Sequence, residues 1–178
     1  MPRAPLVYTI RQIRTPGTPM PDRTSPRNGG EAPEIAARRA AMALCGEASA
    51  DELSRALDGI GPVGEAEDLR PVETGLVMAR GRIGGDGRPF NLGEVTVTRA
   101  AVRLPDGATG FAYHLGRDRR KARLAAILDA LWQQPGRRPA VERALAPVAA
   151  RRAAEAEAEA RRVAATRVNF FTMARGED

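Results

Sequence analysis

Cysteine and histidine occur once each in this chain of 178 residues, as Cys45 and His114. A single cysteine forbids an intrachain disulfide. An iron–sulfur cluster held by one chain needs three or four cysteines, and a transition-metal site draws on several Cys or His ligands. A Ser-His-Asp triad would have to use His114. Chemistry that needs radicals or a transition metal is therefore expected on another chain, and no metal site is expected here. Cys45 falls in a helical pattern and reads as a small core side chain. His114 falls in a strand pattern; it reads as an ordinary strand residue, with a general base as the alternative. Aromatics are also scarce, at 4%, and much of the 43% apolar content is alanine. Alanine buries little area per side chain, so stability is expected to lean on partners. No run of about 18 apolar residues suggests a membrane span. The N-terminal residues lack an apolar stretch followed by a small-residue cleavage site. The expected location is the cytoplasm, away from membranes.

Lysine is nearly absent too: Lys121 is the only one, and the other 27 basic residues are arginine. The net charge is +6, but residues 1–30 hold five arginines (Arg3, Arg11, Arg14, Arg23, Arg27) against Asp22. The remaining 148 residues carry 23 basic and 21 acidic side chains, close to balance. The high sequence pI raises a nucleic-acid-binding module as an alternative function. The near-neutral body argues against it. Residues 1–30, rich in Pro, Gly and Arg, read as a disordered basic lead-in that cannot bury enough apolar surface to offset ordering entropy. Residues 31–178 read as one domain.

The chain is organised around Glu73 to Leu115. Three β-prone runs are separated by two glycine-bearing turns, Gly84-Gly-Asp-Gly87 and Asp106-Gly107. Such turns supply positive φ at no steric cost and signal hairpins. The glycine cluster is a poor phosphate loop, because no lysine is present and a strand follows. The expected fold class is α+β: an antiparallel meander of three or more strands flanked by N-terminal and C-terminal helices. Ile35 to Gly46 reads as an alanine-dense helix with Ile35, Met42 and Leu44 as its larger apolar residues. Ser49 and Glu52 form a capping box for a second helix, with Leu53, Ala56, Leu57 and Ile60 on its buried face. Glu65 to Val72 reads as an acidic connection. In the second strand Val95 and Val97 alternate with Thr96 and Thr98, then the apolar phase changes side, which suggests a bulge near Arg99. Phe111, Tyr113 and Leu115 share a face. Asp118 is an N-cap for a helix from Arg119 to Gln134 with core positions Leu124, Ile127, Leu128 and Leu131. Its first turn carries Arg119, Arg120 and Lys121 against the helix dipole, which suggests an anion or acidic partner there. Pro135 to Pro139 reads as a linker. A long helix, Ala140 to Thr166, has Pro147 as a break or kink and ends in an apolar tail with Phe170, Phe171 and Met173. Those three residues dock either on this chain's own sheet or on a partner.

Glu73-Thr-Gly-Leu-Val77, Arg82-Ile-Gly-Gly85, Thr98-Arg-Ala-Ala-Val-Arg103, Asp106-Gly107 with Gly110, Gly116-Arg-Asp118 and Arg167-Val-Asn-Phe-Phe-Thr-Met-Ala-Arg-Gly176 occur in this order. Together they resemble the PhnG family, a subunit of the bacterial carbon–phosphorus lyase core complex. The resemblance covers about Glu34 to Gly176. It implies an obligate hetero-oligomer with PhnH, PhnI and PhnJ, with PhnL and PhnK as ATPase-like associates. The implied function is joining the ribose triphosphate of ATP to an alkylphosphonate, giving ribose 1-alkylphosphonate 5-triphosphate and adenine. On that reading ATP is a substrate of the complex, an iron–sulfur cluster and S-adenosylmethionine belong to a partner, and this chain has no activity alone. Its own catalytic residues are unknown. Arg99, Arg103 and Arg117, with Arg80 and Arg82, suit the oxygens of a triphosphate or phosphonate; the alternative is solvated arginines or ion pairs. Glu73, Arg99 and Asp118 fall on matched motifs and are residues to test.

Overall fold

The structure, a computed structural model, describes residues 33–81 and 90–166. The lead-in 1–30, Arg82, the Gly84-Gly-Asp-Gly87 turn, and the run with Phe170, Phe171 and Met173 lie outside the described residues. The elements are α1 (Pro33–Glu47), α2 (Ala50–Ile60), β1 (Glu67–Gly81), β2 (Phe90–Arg103), β3 (Thr109–Leu115), α3 (Arg119–Trp132) and α4 (Arg138–Ala165). The strands form one antiparallel sheet in the order β1-β2-β3. This is the expected α+β meander between helices.

Helix α3 lies directly on β2 and β3, and α1, α2 and α4 pack around it. The approach is close because the sheet offers small residues there. A Cβ built on Gly110 would stand 2.0 Å from the Ala126 carbonyl oxygen and 2.6 Å from the Ala130 nitrogen. Glycine is therefore required for contact, not for a turn. The α3 face is correspondingly small, with Ala122, Ala125, Ala126 and Ala130 buried beside Leu128 and Leu131. Trp132, buried at the end of α3, donates its indole N–H to Glu142 at 3.2 Å and lies under the Arg138 guanidinium at 4.1 Å.

Local signals hold at three caps and turns. Ser49 Oγ accepts from the Glu52 N–H at 3.1 Å while Glu52 accepts from the Ser49 N–H at 2.7 Å. Asp118 accepts from the Lys121 N–H at 2.8 Å and caps α3. Gly107 has φ 89°, and the Asp106 carboxylate accepts from the Ala108 N–H at 3.0 Å.

Several expectations need correction. Strand β1 begins at Glu67, so most of the supposed acidic connection is strand, with Pro71 tolerated because β1 is an edge. A bulge does lie beside Arg99, since the register shifts between Arg70 and Glu73 as well as between Asp68 and Arg70, but there the extra residues are on β1; β2 itself stays in unbroken register with β3 past Arg99. The change of apolar phase in β2 has another cause. Thr98, not Val97, faces α3, and it is buried by hydrogen bonding: it lies 3.1 Å from Thr74 Oγ1 and donates to the Gly116 carbonyl at 2.7 Å. Ile35 is exposed, and Ala41 and Cys45 are the buried residues of α1. Helix α4 starts at Arg138 and runs on through Pro147 without a break. Its second half is exposed, with Glu157 and Arg161 paired at 3.8 Å.

Ion pairs far apart in sequence close the helical layer: Arg38 to Asp129, Arg138 to Glu34 and Arg151 to Glu52, at 2.7–2.9 Å. The Arg151 guanidinium and the Ser49 N–H hold the Glu52 carboxyl down at about 2.

Candidate functional site

The two faces of the sheet follow from the register, because directly opposed residues share a side. Thr74, Thr98 and His114 form one row and face the helices; Glu73, Arg99 and Tyr113 form the adjacent row and face away. None of the described helices covers that outer face, and Phe111, Tyr113 and Leu115 stand 51%, 50% and 57% exposed on it. Arg99 sits mid-row. It donates to Glu73 at 2.7 Å through Nε, with a second guanidinium nitrogen at 2.6 Å. Hydrogen bonds to Tyr113 first and Glu73 second push its basicity further up. Glu73 also takes Arg70 at 2.9 Å. Arg103 is exposed on the same side, 3.8 Å from Glu67. Arg117 is exposed in the loop before α3 and makes no ion pair among the described residues. Arg80 is tied to Asn91 at 3.0 Å.

The candidate arginines are therefore strung along the sheet rather than gathered. Arg99 and Arg103 are four residues apart, about 13 Å along the strand, and Arg117 lies beyond the Val97–Leu115 end of the pairing. An open cleft between α2 and the start of β1, lined by Asp58, Val63, Ala66, Arg123 and Ile127, takes in none of the three. Of the cations in the first turns of α3, Arg119 is exposed, and Arg120, Lys121 and Arg123 have intrachain partners. Arg120 reaches Asp51 at 2.7 Å, Lys121 donates to the Gly46 carbonyl at 2.6 Å, and Arg123 holds Asp68 and the Ala66 carbonyl at 2.7 Å. They clamp α3 to the elements before the sheet, and this accounts for Arg120 and Lys121 without an anion.

His114 is 8% exposed, and burial first, then Lys121, pushes its imidazole down to about 4. Its Nε2 is buried with no hydrogen-bond partner among the described residues. Cys45 is buried and its thiol pushed up to about 12, mainly by burial, which makes it a poor nucleophile. Among the described residues no three His, Cys, Asp or Glu side chains are grouped to hold a metal ion. No helix among them is long and apolar enough to cross a membrane.

One polar centre was not singled out from the sequence. Asp129 is 1% exposed. It accepts from Arg38 at 2.8 and 2.7 Å, from the Phe111 N–H at 2.8 Å and from Gln133 at 3.3 Å. Gln133 also donates to the Thr109 carbonyl at 2.9 Å. The centre ties α1 to α3 and satisfies the outer edge of β3 over its first half. An aspartate one turn from the end of an apolar helix face was the available signal.

Comparison with known proteins adds an independent line. A family described as "Phosphonate metabolism protein PhnG" matches residues 36–176. A protein of Rhizobium meliloti (strain 1021), named alpha-D-ribose 1-methylphosphonate 5-triphosphate synthase subunit PhnG, is 54% identical over 144 residues, spanning 81% of this chain and 92% of its own length.

Proposed function

The chain belongs to the PhnG family, and from that premise we propose that it is a subunit of a multisubunit ribose 1-methylphosphonate 5-triphosphate synthase in phosphonate metabolism. The identity to the Rhizobium meliloti subunit over most of both chains carries this reading. The side-chain chemistry is consistent with it: the buried carboxylate Asp129 is engaged within the chain, while large apolar side chains stand exposed on the sheet.

The finer reading extends to partners and reaction. PhnH, PhnI and PhnJ are the core partners, and PhnL and PhnK the ATPase-like ones, in the cytoplasm and without nucleic acid. The complex breaks the bond between C1′ of ATP and adenine and forms one from C1′ to a phosphonate oxygen. Such a displacement needs stabilisation of an oxocarbenium-like centre and cations on the triphosphate. This chain's contribution is structural, with arginine as the one side chain it has to lend. Arg117 is the most available of the three candidates, whereas Arg99 would first have to leave Glu73. Any iron–sulfur cluster and S-adenosylmethionine belong to a partner, because Cys45 and His114 are the only residues of their types here.

Co-expression of the tagged chain with those partners, followed by size exclusion, tests the subunit reading. A stable complex is expected; a chain that elutes alone overturns it. Within the complex, Arg117→Ala is expected to lower turnover, and unchanged kinetics removes this chain from the shared site.

A further inference from the structure

We infer that the outer face of the sheet is the surface through which a different subunit of the synthase docks, one presenting an apolar ridge with carboxylates at one end; this rests on the subunit reading above. The face runs the length of the sheet, with the buried side chains of Ala79, Val97 and Ala101 lying between its exposed residues. Beyond the helical body β1 and β2 run on as a two-stranded ribbon, and an extra residue on β2 between Gly93 and Asn91 places Leu92 against Gly81. Gly81 lies on the same side of β1 as Val77, which is level with the outward row. Phe90, Leu92, Phe111, Tyr113 and Leu115 thus form one strip, each between 39% and 57% exposed. From Ala101 to Phe90 the strip is about 36 Å long, and it is three strands or about 14 Å wide at β3. Its projected area is roughly 400 Å², and a corrugated surface exposes more than its projection. That is about half of one side of a standard interface, roughly 800 Å², and the size of the largest apolar patch on a typical monomer, which is often functional.

The charges select the occupant. The outer face carries Arg70, Arg99 and Arg103, three cations that share the two carboxylates Glu67 and Glu73, all at the β3 end, while the described residues on the outer side of the ribbon are apolar. A second copy docking by a two-fold axis has two ways to cover the strip. With the axis along the strip, the arginine ends meet each other. With the axis across it, each arginine end lies on the apolar ribbon of its mate, and cations are desolvated without new carboxylates. Neither is favourable. A different protein, apolar along its length and acidic at the end that meets Arg99 and Arg103, satisfies both halves.

The test uses the full chain co-expressed with the synthase partners, with a photo-crosslinking p-benzoylphenylalanine placed at Tyr113, at Leu92 or, as a control on exposed α4, at Arg143. The expected result is a covalent adduct of positions 113 and 92 with one and the same partner subunit, and none from position 143. In parallel, Leu115→Asp is expected to lower the co-purified partner at least tenfold while the isolated variant keeps its circular dichroism spectrum. An adduct between two copies of this chain, or an intact complex with no adduct from 113 or 92, overturns the proposal and leaves the subunit reading standing. If the unsubstituted chain brings down no partner, the subunit reading falls and this one with it.

Discussion

On the helix-facing side of β2 and β3, Thr98, Ala100, Gly110 and Ala112 lie with Val102 and His114. One position along on the same strands, the outer side carries Phe111, Tyr113 and Leu115. On β3 small residues lie where the chain packs on itself, and large ones on the side that none of the described helices covers. Close approach explains the first choice: with alanine on α3 and glycine on β3, backbone meets backbone and little apolar area is gained per side chain. The second choice has no explanation among the described residues, since rings and leucines exposed in this way contribute little to folding. The inner face serves the fold, and the outer face is the one we propose meets a neighbour.

Four substitutions test that division, beginning with the inner face. Gly110→Val puts two methyl groups where the Ala126 carbonyl stands and is expected to cost about 4 kcal/mol or more by displacing α3; a variant that keeps its chemical-denaturation midpoint would refute the tight contact. Asp129→Ala is expected to cost about 3 kcal/mol, because Arg38 and the Phe111 N–H lose their acceptor. The measurement is again a denaturation curve, and a loss under about 1 kcal/mol would show the centre to be dispensable.

His114 gives a pH-dependent test of smaller size. Its imidazole titrates near 4 when folded and near 6.5 when unfolded. Between those values the unfolded chain holds a proton that the folded chain does not, so stability falls as pH drops from about 6.5 towards 4. The loss is expected to be about 1–2 kcal/mol after solvent screening. His114→Leu should remove that slope and leave stability at neutral pH equal or higher, since Nε2 has no partner to lose. A slope unchanged by the substitution would place the proton elsewhere. The smallest effect belongs to the outer face. Leu115→Asp should shift the isolated chain's stability by less than about 0.5 kcal/mol, and a larger drop would make that face part of the fold.

Much of this architecture was legible in the sequence. Ser49, Glu52, Asp118 and Asp106-Gly107 act on their immediate neighbours, so their roles are local and readable. The element order followed from those signals. What escaped depended on residues distant in sequence. The change of apolar phase at Thr98 was put down to a bulge in β2, because its hydrogen-bond partners, Thr74 and the Gly116 carbonyl, are contributed by other segments. Arg120 and Lys121 appeared unfavourable at a helix start until Asp51 and Gly46 were seen beside them. Ile35 carries an apolar side chain, yet the helices it would face are met through Ala41 and Cys45. The arginine candidates were picked for their chemistry, and the register that sets Glu73 beside Arg99 has no local signature.

The long-range ion pairs bear on when the protein can fold. Arg38 finds Asp129 91 residues later, Glu52 finds Arg151 99 residues later, and Glu34 finds Arg138 104 residues later. The first two helices thus wait for the last two. During synthesis, at about 5–20 residues per second, most of the chain must leave the ribosome before its opening segments acquire their partners. Non-local closure of this kind slows folding, so the nascent chain passes several seconds with its helices unanchored and its sheet bare on both sides.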